Sequence, residues 1–218
     1  MTAATRPRTA LVAGGTGLVG AALLRLLASD PQYRRVTSLV RRDVELPRGV
    51  AAQRVDFENL DGLSIADVDD AFCCLGTTRK DAGSDEAFRR VDLDYVVSFA
   101  RLAKRSGAKR FLVVSSLGAS ARSSLLYPRT KGESEEAVAA AGFSTVVILR
   151  PSFLMGDRAR PRSGEGIAIA LGRWIRPVLI GPLAKYAPVE ATAVARTLVA
   201  SAATAPAGVT IIESNQIR

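Results

Sequence analysis

Apolar and polar positions follow two different periods along the first 150 residues of the chain. Short apolar runs predict buried strands, and the longer segments between them carry helical spacing. The predicted strands are residues 9–13, 36–40, 51–55, 70–74, 110–115 and 145–150, and the predicted helices are residues 18–29, 85–106 and 131–141. This alternation of strand and helix predicts βαβ units, in which helices cover both faces of a parallel sheet.

Three glycines with a spacing of three lie between the first predicted strand and the first predicted helix, in the run VAGGTGLVG. Gly14 permits a sharp turn because it has no Cβ. Gly17 lets a pyrophosphate approach the unpaired N–H groups of a helix N-terminus, and Gly20 lets the helix pack closely on the sheet. The residues predicted to bind the nucleotide here are Gly14, Thr16, Gly17, Leu18, Val19 and Gly20. The loop predicts a dinucleotide-binding α/β domain of the Rossmann type, a doubly wound parallel sheet with strand order 3-2-1-4-5-6.

The pattern changes after Pro151. Residues 158–166, rich in Arg, Gly and Pro, predict a loop. Beyond it we predict helices at 167–174 and 190–203 and strands at 178–180 and 209–212. We expect a single dinucleotide-binding domain over residues 1–218, with a nucleotide-binding core at 1–150 and a small substrate-side lobe at 151–218.

Composition narrows the chemistry further. A chain of 218 residues with 48% hydrophobic content is large enough for a buried core. The net charge of +9 comes from scattered basic residues and only 6% of residues are aromatic, which favours a solvated basic surface over nucleic-acid binding. The chain has no histidine, which excludes Ser-His-Asp and Cys-His catalysis and histidine-ligated zinc. We expect no metal, and acid–base chemistry must use Tyr, Lys, Asp, Glu or Cys.

The cysteines and the N-terminus bear on location. Cys73 and Cys74 are adjacent, which excludes a disulfide framework and fits a reducing compartment. The apolar run after Arg8 coincides with the glycine loop, so we interpret it as part of the mature chain and not as a secretory signal. No uninterrupted apolar stretch reaches the length of a membrane span. We therefore expect a cytoplasmic protein.

The end of the second predicted strand, TSLVRRD, bears on the choice of cofactor. In this fold an acidic residue there binds the ribose 2′-hydroxyl of NAD, and a basic residue accepts the 2′-phosphate of NADP. Arg41 takes the place of the acid and Arg42 follows it, and a guanidinium can bind a phosphate through paired N–H donors. The sequence therefore favours NADP(H), and Asp43 keeps NAD(H) open.

The fourth predicted strand ends in Leu75-Gly76-Thr77. A glycine at this point lets the backbone approach the adenine ribose. A simple turn at the end of the strand is the alternative. We place Leu75, Gly76 and Thr77 among the candidate cofactor-binding residues.

Ser115 and Ser116 end the fifth predicted strand, and Tyr127 and Lys131 follow in YPRTK. A spacing of four places tyrosine and lysine on one helix face. Free tyrosine, with a pKa of about 10, is a poor acid–base group at neutral pH, and a nearby ammonium or oxidised nicotinamide favours its phenolate. We predict that Tyr127 is the proton donor, Lys131 its electrostatic partner and a ribose ligand, and Ser116 the group that holds the substrate carbonyl. Ser115 is the alternative for that serine and a candidate cofactor contact.

Together the GxxGxxG loop, the serine pair and YxxxK resemble the atypical short-chain dehydrogenases/reductases, an NAD(P)-binding Rossmann family that includes epimerase- and dehydratase-like proteins. The segment RVDLDYVVSFARLAKRSGAKRFLVVSSLGAS resembles the branch that contains the Tat-interacting oxidoreductase. The resemblance implies that Asp56 contacts the adenine amino group, with an ordinary turn as the alternative, and that Pro151 in LRPSFLMG lies on the nicotinamide side. Asp92 stands where family members often carry asparagine. The short region after Arg150 argues against nucleotide-sugar epimerase activity.

Two functions are consistent with these residues. The first is an NADPH-dependent oxidoreductase that transfers a hydride to a small carbonyl substrate, and the intact Ser-Tyr-Lys set favours it. The second is an NADPH-binding regulatory or redox-sensing protein, which has less need of that set. Both predict a small-molecule partner and leave the oligomeric state open.

Overall fold

The computed structural model describes residues 6–156 and 185–218. The strands are β1 (Arg8–Ala13), β2 (Tyr33–Val40), β3 (Val50–Arg54), β4 (Asp70–Cys73), β5 (Arg110–Val114), β6 (Thr145–Arg150), β7 (Leu154–Met155), β8 (Val189–Glu190) and β9 (Gly208–Glu213). The helices are α1 (Leu18–Ser29), α2 (Arg79–Ala82), α3 (Asp85–Arg89), α4 (Tyr95–Arg105), α5 (Leu126–Ala139) and α6 (Ala191–Thr204). One π-helical turn (Arg90–Asp94) joins α3 to α4, and a 3-10 turn (Ser214–Gln216) follows β9.

Within the described residues, a parallel sheet runs in the order β3-β2-β1-β4-β5-β6-β9. The predicted Rossmann-type order 3-2-1-4-5-6 is therefore confirmed, and β9 extends the sheet beside β6. A strand order that reverses direction next to β1 opens a crevice at the carboxyl ends of β1 and β4, where this fold binds its ligands. β7 and β8 form a separate two-stranded ribbon after β6.

The core lies in two layers, one on each face of the sheet. Alternate residues of β1 point to opposite faces, as strand geometry requires. Ala10 and Val12 belong to the layer formed with α1 and α6. Leu11 and Ala13 belong to the layer formed with α4 and the end of α5. Because all four are fully buried, the run TALVA has no polar alternation, as expected for the central strand of a parallel sheet.

Two predicted helices differ from the observed ones. The helix predicted at 85–106 is divided by the π-helical turn, which adds a residue to the turn and directs Asp92 into the interior. The helix predicted at 131–141 begins earlier, at Leu126, because Pro128 falls within its first turn, where a missing N–H costs little. Tyr127 and Lys131 therefore share one helix. The predicted elements between 158 and 180 lie outside the described residues.

Candidate active site

The glycine loop makes its turn through close backbone contacts. Gly14 has a φ of +80°, and a Cβ there would lie 2.4 Å from the carbonyl of Cys74. A Cβ on Gly20 would lie 2.1 Å from the Gly14 carbonyl oxygen. At Gly20, α1 therefore approaches the loop at the end of β1 more closely than a side chain would allow. Gly17 caps α1 without a side-chain hydrogen bond, and its N–H donates to the Gly14 carbonyl at 3.0 Å.

Gly15 was missed by the sequence analysis. A Cβ at this position would lie 2.4 Å from the Ser38 hydroxyl and 2.8 Å from the Leu24 side chain. Both neighbours are distant in sequence, so the GxxGxxG spacing does not include this glycine. A side chain at residue 15 would displace the Ser38 and Leu24 side chains, so Gly15 lets the loop lie close to β2.

A cleft of about 510 Å³ opens at the carboxyl ends of β1, β2 and β4. Seven residues that the sequence predicted to bind the cofactor line it, namely Gly14, Thr16, Gly17, Arg41, Leu75, Gly76 and Thr77. The structure thus brings together the glycine loop, the end of β2 and the turn after β4. Leu18, Val19 and Gly20 continue from the loop into α1.

A second cavity of about 390 Å³ adjoins the cleft and shares Arg41, Phe57 and Tyr95 with it. Arg41 and Arg42 are both exposed, but of these two arginines Arg41 lines both cavities and Arg42 lines neither. Asp56 also lines the second cavity. A basic side chain and a carboxylate therefore face the same small space at the far end of the cleft.

Asp56 also serves as a turn residue. Its carboxylate accepts hydrogen bonds from the Glu58 N–H at 3.0 Å and the Asn59 amide at 2.6 Å. These two bonds hold the pKa of Asp56 below its usual value. The position of Asp56 is thus compatible with both roles considered for it, a contact to the adenine amino group and an ordinary turn residue.

The aromatic residues at this end of the cleft were not predicted. Phe57 and Tyr95 pack with their ring centroids 5.6 Å apart. The Tyr95 hydroxyl donates a 2.5 Å hydrogen bond to Glu58, and burial together with this bond raises the pKa of Tyr95 to about 12. The position of Phe57 directly after the third strand was a usable signal, whereas Tyr95 is brought here by the packing of α4.

Lys131 lies in a buried ion pair below the turn after β4. Its ammonium is 2.7 Å from Asp92 Oδ1, and the two side chains are 7% and 0% exposed. Asp92 Oδ2 accepts a hydrogen bond of 2.8 Å from the Thr77 N–H. A Cβ on Gly76 would lie 3.4 Å from Asp92 Oδ1 and 3.5 Å from Lys131 Nζ. Gly76 lines the cleft and the charged pair lies behind it, so Lys131 and Asp92 do not themselves line the cleft.

The charge of Lys131 is maintained by its neighbours. Burial lowers the pKa of this lysine, but Asp92 and then Tyr127 favour the ammonium, and the net result is a pKa above the usual value. Tyr127 lies one helical turn before Lys131 on α5. Its ring stacks on Phe88, with centroids 5.5 Å apart and planes at 25°, and 37% of the residue is exposed. The stack fixes the ring while leaving an edge in contact with solvent.

The serine pair follows β5 directly. The Ser115 N–H donates to the Leu149 carbonyl at 2.7 Å, and its buried hydroxyl has no hydrogen-bond partner among the described residues. Ser116 is partly exposed, and its Oγ is 3.5 Å from the Leu117 carbonyl. The Leu117 N–H donates to the Pro151 carbonyl at 2.9 Å, so Pro151 lies beside this loop.

Helix α5 approaches the serine loop closely because residue 132 is a glycine. A Cβ on Gly132 would lie 2.1 Å from the Ala121 nitrogen. The Ser120 N–H donates to the Pro128 carbonyl at 2.9 Å and joins the loop to the first turn of the helix. Gly132 was missed because its tight neighbour belongs to another element, and it brings the Tyr127 helix against the segment that follows Ser116.

The described part of the chain also bears on the expected metal and membrane partners. No group of three or more His, Cys, Asp or Glu side chains there is arranged to hold a metal ion. No helix in residues 6–156 or 185–218 is both long and apolar enough to cross a membrane.

Comparison with known families agrees with this geometry. Residues 14–168 match the family model described as NAD(P)H-binding. The chain belongs to this NAD(P)H-binding family. The rat protein HTATIP2 is 40% identical over 167 residues, which cover 74% of this chain and 69% of the relative. The mitochondrial protein FMP52 of Candida albicans is 33% identical over 197 residues, which cover 86% of this chain and 85% of the relative. The resemblance to the Tat-interacting branch and to NAD(P)-binding proteins is confirmed.

Solved structures confirm the fold. The structure of MoeE5 in complex with UDP-glucose and NAD superposes with a TM-score of 0.69 at 20% identity and covers 94% of this chain and 76% of that one. At this identity the likeness establishes a shared Rossmann-type architecture. A nicotinamide cofactor is therefore supported by the family, and the fold places its binding cleft at the ends of β1 and β4.

Proposed function

We propose that this protein is an NADP(H)-dependent oxidoreductase that reduces a small carbonyl compound. The observation that carries the proposal is the placement of Tyr127 and Lys131 on one face of α5, with the Lys131 ammonium held directly under Gly76 at the wall of the cleft. A tyrosine coupled to a buried cation is a suitable proton donor in a chain without histidine.

The residues present fit a dinucleotide. The absence of a Cβ at Gly14 and Gly20 is required by the backbone of the loop, and Gly17 leaves the first turn of α1 without a side-chain cap. Such a helix N-terminus suits a pyrophosphate. Arg41 stands at the far end of the cleft, where it would hold a 2′-phosphate. Bound NADPH supplies a hydride.

The side chains of the chain itself would manage the substrate oxygen. The Tyr127 hydroxyl donates its proton to that oxygen, and the Lys131 ammonium stabilises the phenolate that remains. The Ser116 hydroxyl donates a hydrogen bond to the same oxygen, and the buried, unpartnered hydroxyl of Ser115 is the alternative for this role. The Lys131 ammonium has three N–H donors, and beside its ion pair with Asp92 it would donate to a ribose hydroxyl.

The second candidate is an NADPH-binding regulatory or redox-sensing protein. The exposed edge of Tyr127 and its stacking on Phe88 favour it, because an exposed aromatic stack suits a partner surface as well as a catalytic group. The names of the rat and fungal relatives specify no reaction. A cytoplasmic location stays a prediction, since the fungal relatives are named as mitochondrial proteins.

The test is the substitution Tyr127→Phe, assayed as loss of NADPH absorbance with a panel of small aldehydes, ketones and quinones. Loss of the general acid should lower kcat about 10²–10⁴-fold with unchanged NADPH affinity. The matched control is Tyr33→Phe, which removes a tyrosine hydroxyl at the amino end of β2, the end of the strand away from the cleft. This substitution should leave kcat unchanged. Turnover by Tyr127→Phe equal to that of the parent, or no turnover of any carbonyl by the parent, favours the regulatory function.

A further inference from the structure

We propose that Asp92 is a positioning residue, which supplies the counter-charge of Lys131 and couples it to the turn at Thr77 on the cofactor side of the cleft. This inference rests on the proposed function, because Asp92 would act through Lys131. Asp92 touches neither cavity; its carboxylate lies behind the backbone of Gly76.

The geometry engages both oxygens of one buried carboxylate. Oδ1 contacts the Lys131 ammonium at 2.7 Å, and Oδ2 accepts the Thr77 N–H at 2.8 Å. Asp92 reaches this point from the π-helical turn, whose extra residue directs the side chain inward. Three separate elements therefore meet at Asp92: the turn after β4, the π-helical turn and α5. If a bound ribose displaced Thr77, Asp92 would move with it and change the position of the Lys131 ammonium.

In this chain the negative charge of Asp92, and not only its hydrogen bonding, acts on Lys131. An ammonium that is 7% exposed has lost most of its water, and burial alone favours the neutral amine. Asparagine would offer an oxygen to Lys131 but no negative charge. The aspartate thus keeps Lys131 ionised at a site where solvent cannot.

The other ionisable groups near Lys131 do not replace Asp92. Tyr127 faces it from α5, and Cys73 faces it from β4 as a neutral thiol, because burial raises the pKa of Cys73 to about 12. Arg89 from α3 is balanced by Glu133 at 2.7 Å. Among the described residues, Asp92 is the carboxylate that pairs with Lys131.

The first measurement compares Asp92→Asn with Glu135→Gln by urea unfolding between about pH 7 and about pH 10. Glu135 is the matched control: it is a buried carboxylate on the same helix, but its partner, Arg150 at 2.6 Å, does not titrate in this range. Without Asp92 the pKa of folded Lys131 should fall by about 1–3 units, below that of the unfolded chain. The unfolded state then binds more protons, so the stability deficit of Asp92→Asn shrinks as the pH rises. The deficit of Glu135→Gln should stay constant.

The second measurement follows NADPH affinity over the same pH range by calorimetry. In the parent, Lys131 stays charged and its contribution is constant. In Asp92→Asn the ammonium is lost within the range, and affinity should fall about tenfold as the charge-assisted contact to the ribose disappears. In a Lys131→Met background, Asp92→Asn should add no pH dependence, because Asp92 acts through the lysine.

If Asp92→Asn alone does not fold, the double variant Asp92→Asn/Lys131→Met tests the proposal instead. Because it removes both buried charges, this double variant should fold. A double variant that is less stable than Asp92→Asn alone overturns the proposal. A constant stability deficit for Asp92→Asn overturns the charge role, and a changing deficit without a change in NADPH affinity overturns the positioning role. Neither measurement needs a substrate, so a failure of the carbonyl reaction in the Tyr127→Phe test is distinguishable from a failure here.

Discussion

The Tyr33 hydroxyl donates a 2.7 Å hydrogen bond to Asp70, whose carboxylate is completely buried at the first residue of β4. Arg8 pairs with the same carboxylate at 2.8 Å, and Arg110 contacts its other oxygen. These contacts join the amino ends of β1, β2, β4 and β5, at the end of the strands opposite the cleft. Burial raises the pKa of Tyr33, which therefore stays a hydrogen-bond donor.

Asp70→Asn should accordingly destabilise the fold without affecting cofactor affinity. Two arginines would keep their charges, partly buried, with no carboxylate between them, at a cost of about 2–4 kcal/mol. Urea unfolding measures the loss, and NADPH titration of the folded variant checks the cleft. The control is Asp43→Asn, because Asp43 and Arg54 form an exposed pair at 3.9 Å that should contribute nothing measurable. Equal stability of the two variants would contradict the role of Asp70.

Gly20→Ala tests the loop. Its methyl group would lie 2.1 Å from the Gly14 carbonyl oxygen, a backbone atom that cannot rotate away. The turn must open, so we expect a loss of NADPH affinity of at least about tenfold and a destabilisation of about 1–3 kcal/mol. Gly62→Ala is the control, since a Cβ there meets nothing within 4 Å. Normal NADPH binding by Gly20→Ala would show that the loop tolerates a side chain.

The sequence predicted the sheet well because its strands are short, continuous apolar runs and their connections are regular. The run that includes Ala10 and Val12 forms a fully buried interior strand, between β2 and β4, as expected. The position of Gly14 directly after an apolar run was also sufficient to predict the sharp turn there. By contrast, the close contacts of Gly15 with Ser38 and of Gly132 with Ala121 join different elements of the fold, and no spacing rule reports such contacts.

The interruption of the long predicted helix has the same kind of cause. The π-helical turn is stabilised where Asp92 meets Lys131 and Thr77, three residues that only the folded chain brings together. Local propensity favours a continuous helix through this segment, and the tertiary contact overrides it. Lys131 and Thr77 were predicted as site residues from their local motifs, whereas the π-helical turn that joins them through Asp92 was not.

The adjacent cysteines provide a prediction with a defined pH dependence. Burial raises the pKa of Cys73 from 9.0 to about 12 and that of Cys74 as well. Neither thiol should react with Ellman's reagent at about pH 8 in the folded protein, because the reactive form is the thiolate. Since the folded pKa exceeds the unfolded one, the unfolded chain loses its thiol protons first, and stability should fall as the pH rises above about 9.

Thiol titration in urea is the companion measurement, and both cysteines should then react. Cys73→Ala isolates Cys74, which lines the cleft, so added NADPH should slow any residual reaction of Cys74. Rapid reaction of both thiols in the folded protein without urea would contradict the burial of Cys73 and the raised pKa of both thiols.

Cofactor choice is the last prediction. Arg41 lines both cavities at the end of β2, and a guanidinium there can bind a 2′-phosphate through two N–H donors. NADPH should therefore bind more tightly than NADH. Arg41→Ala should weaken NADPH about 10–100-fold and leave NADH nearly unchanged, because NADH has a hydroxyl at this position. Arg42→Ala is the matched control: it removes the same charge from the neighbouring residue, which lines neither cavity, and should have a smaller effect. Calorimetric titration of the parent and both variants with each cofactor measures all these affinities. Equal affinities of the parent for NADPH and NADH, unchanged by either substitution, would refute the assignment of Arg41.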